Sequence, residues 1–145
     1  MNRYLNVGLM QYSIAKDTKE NLKIIEENVH ILMNGLNRPE IILGPELGLG
    51  FSSNDTVPGK ITEALGAIAR EYNIYLLAGS MKETVEIDGR TIVYNTLPIL
   101  GPDGTLIDKY RKICPYYPVE SATTPGDRYV LFEIKEKKIK IGVMI

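Results

Sequence analysis

The sequence predicts an α/β domain. Short apolar runs alternate with helix-period segments as far as Ser80, and paired strands then follow around Asp88-Gly89 and Gly101-Pro102-Asp103-Gly104. At 145 residues, 44% of them hydrophobic, the chain is the size of one ordinary domain and can bury a sizeable core.

Leu5 to Tyr12 mixes alternation with apolar character over a short run, which suits a first strand buried on at least one face. Asp17 then stands where an N-cap belongs, with Glu20 at capping-box spacing. Leu22, Ile25, Val29, Leu32 and Leu36 follow at steps of three and four, one apolar stripe that Gly35 or Asn37 brings to an end. Glu40 to Gly44 is too short for an amphipathic helix and reads as a central strand. A second helix runs from about Gly59 to Tyr72, with Ile61, Leu65, Ile68 and Tyr72 on one face, and feeds a third strand over Ile74 to Ser80. Beyond Met81, Thr84–Ile87 and Thr91–Tyr94 flank the hairpin signal Asp88-Gly89. Thr96–Leu100 and Thr105–Tyr110 flank a type I turn, and Tyr129–Ile134 with Ile139–Ile145 form a last hairpin. The chain stops inside that apolar strand, so the expected domain, 1–145, is incomplete at its carboxyl end.

Composition excludes several function classes. Seventeen Lys plus Arg against eighteen Asp plus Glu leave a net charge of -1, which argues against a nucleic-acid partner. No apolar run approaches the ~18 residues of a membrane span, no leader pattern stands ahead of the first strand, and one cysteine makes no internal disulfide. The expectation is a cytoplasmic protein with no membrane partner. His30 is the sole histidine, so a two-histidine metal site is excluded; it lies one position past the apolar face of the first helix and reads as a solvated or boundary residue. Acid and base chemistry therefore falls to carboxylates and lysines.

Two places concentrate such groups. Glu46 follows the second strand, where α/β folds gather ligands, and Gly44-Pro45 turns the backbone just before it. The stretch Tyr110 to Glu120 packs Lys112, the lone Cys114, two prolines and Glu120 into eleven residues. If the backbone stays extended there, Lys112 and Cys114 point to the same face. Gly48 to Asp55 is glycine-rich but lacks both the lysine-serine ending and the dinucleotide spacing of a phosphate loop.

Taken in order, Gly44-Pro45-Glu46, Tyr110-Arg111-Lys112 with Glu120 beyond it, and Pro125-Gly126-Asp127 before Lys140–Ile145 resemble the amino-terminal half of the nitrilase (carbon-nitrogen hydrolase) superfamily. Pro115 to Glu120 is most like the aliphatic amidase and formamidase branch. The resemblance covers nearly the whole chain. It implies the amino-terminal half of an α-β-β-α sandwich, no metal or organic cofactor, and a homo-oligomer. It also implies hydrolysis of a small aliphatic amide through a cysteine thioester, with nitrile or N-carbamoyl-amide hydrolysis as alternatives within the family. Carried over by motif, Glu46 is the general base, Lys112 the lysine and Glu120 the further carboxylate, which either holds Lys112 or contacts the substrate nitrogen. The family's nucleophile would be the residue after Ile145. Cys114 falls inside the lysine motif and is expected to be structural or to support the site from behind, rather than to be the nucleophile. A catalytically inactive module that binds amides or a partner protein is the reading from a different class.

Overall fold

The computed structural model describes residues 4–145; the first three residues of the expected 1–145 domain lie outside the described residues. Helix α1 (Thr18–Met33) joins strands β1 (Val7–Leu9) and β2 (Ile41–Leu43), and α2 (Lys60–Tyr72) joins β2 and β3 (Tyr75–Leu77). The three strands pair in parallel, β1 with β2 and β2 with β3, as two βαβ units require. Strands β4 (Met81–Ile87), β5 (Arg90–Leu100) and β6 (Leu106–Arg111) follow, and β5 pairs antiparallel with β3, β4 and β6. The result is one six-stranded mixed sheet. β7 (Val130–Ile134) and β8 (Ile139–Val143) form a separate antiparallel pair.

Side-chain alternation along the large sheet builds two cores. Ile42, Leu76, Met81 and Leu100 pack with Ile25 and Val29 of α1 and with Leu65 and Ile68 of α2. Ile41, Leu77, Leu97, Ile99 and Tyr110 point the other way and pack against Val130, Phe132, Ile134 and Val143 of the hairpin. Successive strand residues thus serve opposite layers, as a period of two dictates. Helices, sheet and hairpin are three of the four layers of the expected α-β-β-α sandwich, and the described residues supply no fourth.

Local chemistry explains most element boundaries. The Asp17 side chain accepts a hydrogen bond from Lys19 N at 2.9 Å, so it caps α1 as expected, although not through the amide of Glu20. The apolar stripe of α1 ends sooner than its spacing suggests: the helix stops at Met33, and Leu36 is 103% exposed. At the β4–β5 turn, Asp88 and Gly89 both have positive φ, 50° and 71°, which gives the primed turn whose twist matches the strands it joins.

Several strand expectations need correction, and β3 is one, keeping only Tyr75–Leu77 of the predicted Ile74–Ser80. β1 keeps only Val7–Leu9 of the predicted Leu5–Tyr12, because it is an edge strand whose chain peels away after Met10 N donates to Leu43 O. β4 starts at Met81 rather than Thr84. The two short strands expected on either side of Asn95 are one continuous β5, whose first part pairs with β4 and whose last part pairs with β6.

Glu83 is a buried charge on the helix side of β4, with 0% exposure. The Arg111 guanidinium grips it with two bonds, Nε to Oε2 at 2.8 Å and Nη2 to Oε1 at 2.9 Å. Lys109 Nζ and Thr96 Oγ1 donate to it as well. Removing one partner of such a cluster leaves the others uncompensated in the interior. Glu83→Ala is therefore expected to lower the free energy of unfolding by about 3–5 kcal/mol in urea melts. Glu86→Ala, on the exposed end of the same strand, should cost under about 1 kcal/mol.

Candidate active site

Four segments bring their polar groups to one end of the large sheet, on its hairpin side. The first is the loop after β2. Gly44 is required there by close approach, because a Cβ would lie 2.1 Å from Ala78 O. Gly44 N donates to Leu77 O, and Gly48 N closes a turn on Pro45 O. Leu47 N donates to Ser80 Oγ at 2.8 Å, and the Tyr12 hydroxyl donates to Gly48 O at 3.1 Å. Burial pushes the Tyr12 phenol up to about 12, so it stays a donor. These bonds fix the direction of Glu46.

The other three segments are β5, the end of β6, and the loop between β6 and β7. Asn95 lies two residues before Leu97 and so on the same face of β5. Lys112 is the first residue past β6 and still pairs, its N–H donating to Asn95 O at 2.8 Å. The following loop is tied back by Gly126 N to Lys112 O, Thr124 N to Val93 O and Glu120 N to Tyr116 O.

Lys112 Nζ lies 2.7 Å from Glu46 Oε1 and 2.6 Å from Glu120 Oε2. The residue is only 8% exposed. All three residues expected from the sequence therefore meet in one cluster, although 66 positions separate Glu46 from Lys112. Burial works against the charged form of Lys112, but its hydrogen bonds to Glu120 and Glu46 outweigh that and hold its pKa above the ordinary amine value. Burial likewise opposes the charge on Glu120. The donors Lys112 Nζ, Tyr116 N and Asn95 Nδ2 reverse it, so its carboxyl sits below the usual range.

Asn95 is a member of the cluster that the sequence reading missed. Its Nδ2 donates to Glu46 Oε1 at 3.0 Å and to Glu120 Oε1 at 2.9 Å. A polar amide inside an otherwise core-facing strand period, two residues before Leu97, was the available signal. Asn95 and Glu120 also line a cleft of about 260 Å³, whose apolar walls include Leu47, Phe51, Val93 and Val119. Small polar substrates fit such a cavity.

Cys114 does not join the cluster. β6 ends at Arg111 and the chain bends at residues 113–114, so Lys112 is buried while Cys114 is exposed. The same-face arrangement expected from an extended backbone is thereby corrected. Tyr116 and Tyr117 are exposed and belong to neither core. His30 is exposed on α1, where its ring is hydrogen-bonded to Tyr72 and Asn34, and it takes no part in the cluster. Among the described residues no group of three or more His, Cys, Asp or Glu is arranged to hold a metal ion.

Residues 6–145 match the carbon-nitrogen hydrolase family. The chain belongs to that family. Among its relatives, the omega-amidase NIT2 of Xenopus tropicalis is 31% identical over 94% of this chain and 53% of its own length. The omega-amidase NIT2 of Danio rerio is 32% identical over 95% of this chain and 48% of its own length. The chain thus spans about half the length of the curated relatives it matches. Its fold is that of Saccharomyces cerevisiae Nit3, a member of the nitrilase superfamily, with a TM-score of 0.82 at 24% identity over 97% of this chain and 54% of that one. An amidase from Nesterenkonia sp. AN1, solved in complex with butyramide, superimposes with a TM-score of 0.77 at 20% identity over 97% of this chain and 55% of that one.

The cluster makes the stability of this carbon-nitrogen hydrolase chain pH-dependent at both ends. Glu120 has a lowered folded pKa, so its contribution is present above the ordinary carboxyl value of 4.5 and is lost as pH falls through the folded value. Lys112 has a raised folded pKa, so its contribution is complete below 10.5 and is lost as pH rises through the folded value. Urea unfolding across pH should show stability declining below pH 4.5, and Glu120→Gln should flatten part of that decline.

Proposed function

We propose that the complete protein hydrolyses the carbon-nitrogen bond of a small aliphatic amide to a carboxylic acid and ammonia, through a cysteine thioester. The observation that carries this reading is the single buried ammonium of Lys112 shared by Glu46 and Glu120 beside a partly apolar cleft. Membership of the carbon-nitrogen hydrolase family supports the reaction class. So do the omega-amidase relatives, and the Nesterenkonia amidase in which an acetamide moiety is bonded to the active-site cysteine.

In this reading the nucleophile is a cysteine directly after Ile145. Glu46 takes the thiol proton as sulfur attacks the amide carbon, and returns it to the departing ammonia. It then removes a proton from the water that attacks the thioester, and the thiol is regenerated as the acid leaves. Lys112 supplies fixed positive charge to the tetrahedral oxyanion, where a preorganised donor is worth about 3–4 kcal/mol. Glu120 holds Lys112 in place and is itself held by Tyr116 N and Asn95. Cys114, exposed and outside the cluster, takes no part. Placement in the cytoplasm and assembly as a homo-oligomer are part of the same proposal; the lone unpaired cysteine supports the first and the family resemblance the second. No described helix is long and apolar enough to cross a membrane.

Ammonia release from formamide, acetamide and propionamide tests the proposal. Glu46→Gln and Lys112→Ala should each lower kcat by about 1000-fold, whereas Cys114→Ala should keep most of the activity. Loss of activity in Cys114→Ala with the fold intact would contradict the placing of the nucleophile.

A further inference from the structure

We propose that Asn95 is a positioning residue that gives the two oxygens of Glu46 different tasks, holding Oε1 and leaving Oε2 to exchange protons. The inference rests on the amide-hydrolysis reading above and adds a residue to it.

Hydrogen counting carries the first step. An asparagine amide has two N–H donors on one nitrogen and an acceptor on the other side. Asn95 spends both donors on carboxylates, Glu46 Oε1 and Glu120 Oε1. The flipped amide would turn its carbonyl toward two anions, so this orientation is forced. Its cost is visible: Asn95 Oδ1 is buried and has no hydrogen-bond partner among the described residues. A residue kept at such a cost on a 3% exposed site is serving the carboxylates rather than the packing.

The second step concerns which oxygen is held. Lys112 Nζ and Asn95 Nδ2 both converge on Oε1 of Glu46. Oε2 receives no hydrogen bond among the described residues, and the Glu46 side chain is 43% exposed. The held oxygen fixes the plane of the carboxylate, and the free one is the oxygen able to accept and return a proton.

The third step is electrostatic. Around Asn95 stand Glu46, Glu120 and Lys112, with exposed Lys82 directly opposite on β4. Two carboxylates sharing one ammonium repel each other and tend to capture a proton. The two amide donors counter that tendency by stabilising both anions. The backbone of Asn95 has its own task, accepting from Lys112 N, and no side-chain substitution removes it.

The test uses the full-length protein with 13C-labelled glutamate carboxyls, in wild type, Asn95→Leu and Asn95→Asp. Asn95→Leu should raise the Glu120 titration midpoint by about one pH unit, and Asn95→Asp by more. The acid limb of kcat/KM for propionamide should move up in the same direction. Loss of the fixed carboxylate plane should lower kcat by about 100-fold, with KM changed much less. An unmoved Glu120 midpoint in folded protein overturns the assignment, as does an unmoved acid limb with unchanged kcat. If Asn95→Leu does not fold, the isosteric Asn95→Asp decides by the same two readouts. A wild-type protein that releases no ammonia from any amide contradicts the reaction itself, while the carboxyl titration still decides whether Asn95 holds the pair.

Discussion

The ammonium of Lys112, buried and shared between two carboxylates, is the constraint on which the rest of the site depends. An unpaired cation in that place would cost several kcal/mol, so its partners must be delivered by the fold with little freedom. Each arrives from a different segment. Glu46 comes from the loop after β2, pressed against Ala78 by a glycine that admits no side chain. Glu120 comes from a loop tied to β5 and to Lys112 itself by backbone hydrogen bonds. The cost of burying charge is thus turned into precise placement of two carboxylates and a cation beside the same cleft.

The period of the β-strand puts a second charge cluster directly behind the first. Asn95 and Thr96 are neighbours on β5, and Arg111 and Lys112 are neighbours at the end of β6. Asn95 and Lys112 face the hairpin side and meet Glu46 and Glu120. Thr96 and Arg111 face the helix side and meet Glu83. Arg111 also lies over the Tyr94 ring, 3.8 Å from its centroid. The two clusters share a backbone but not a side chain. The Glu83 cluster locks β4, β5 and β6 in register, and that register carries Asn95 to its place opposite Lys112. The ion cluster on one face therefore supports the candidate catalytic cluster on the other.

Much of this was legible in the sequence. The βαβαβ order followed from period alone, and the Asp88-Gly89 turn from its residue types. Glu46, Lys112 and Glu120 stood out through ordered motifs, and the structure brings the three together. Their meeting was beyond local pattern, since contacts across 66 residues depend on sheet order. Asn95 and Glu83 were missed for the same reason. Glu83 falls just before the strand expected at Thr84–Ile87, and Asn95 between those expected at Thr91–Tyr94 and Thr96–Leu100, so each reads as an ordinary polar residue until the neighbouring strand is placed. The alternation Met81, Glu83, Val85 would have put Glu83 on the core-facing side had β4 been started at Met81. Cys114 misled in the opposite sense, because its apparent pairing with Lys112 assumed a strand that had already ended.

The most direct measurement of the central claim is a set of double-mutant cycles on unfolding free energy, pairing Lys112→Met with Glu46→Gln and with Glu120→Gln. If both carboxylates share the buried ammonium, each cycle should give a coupling of about 1 kcal/mol or more. Couplings within error of zero for both pairs would mean that the ammonium and the carboxylates do not meet in solution, and would contradict the account.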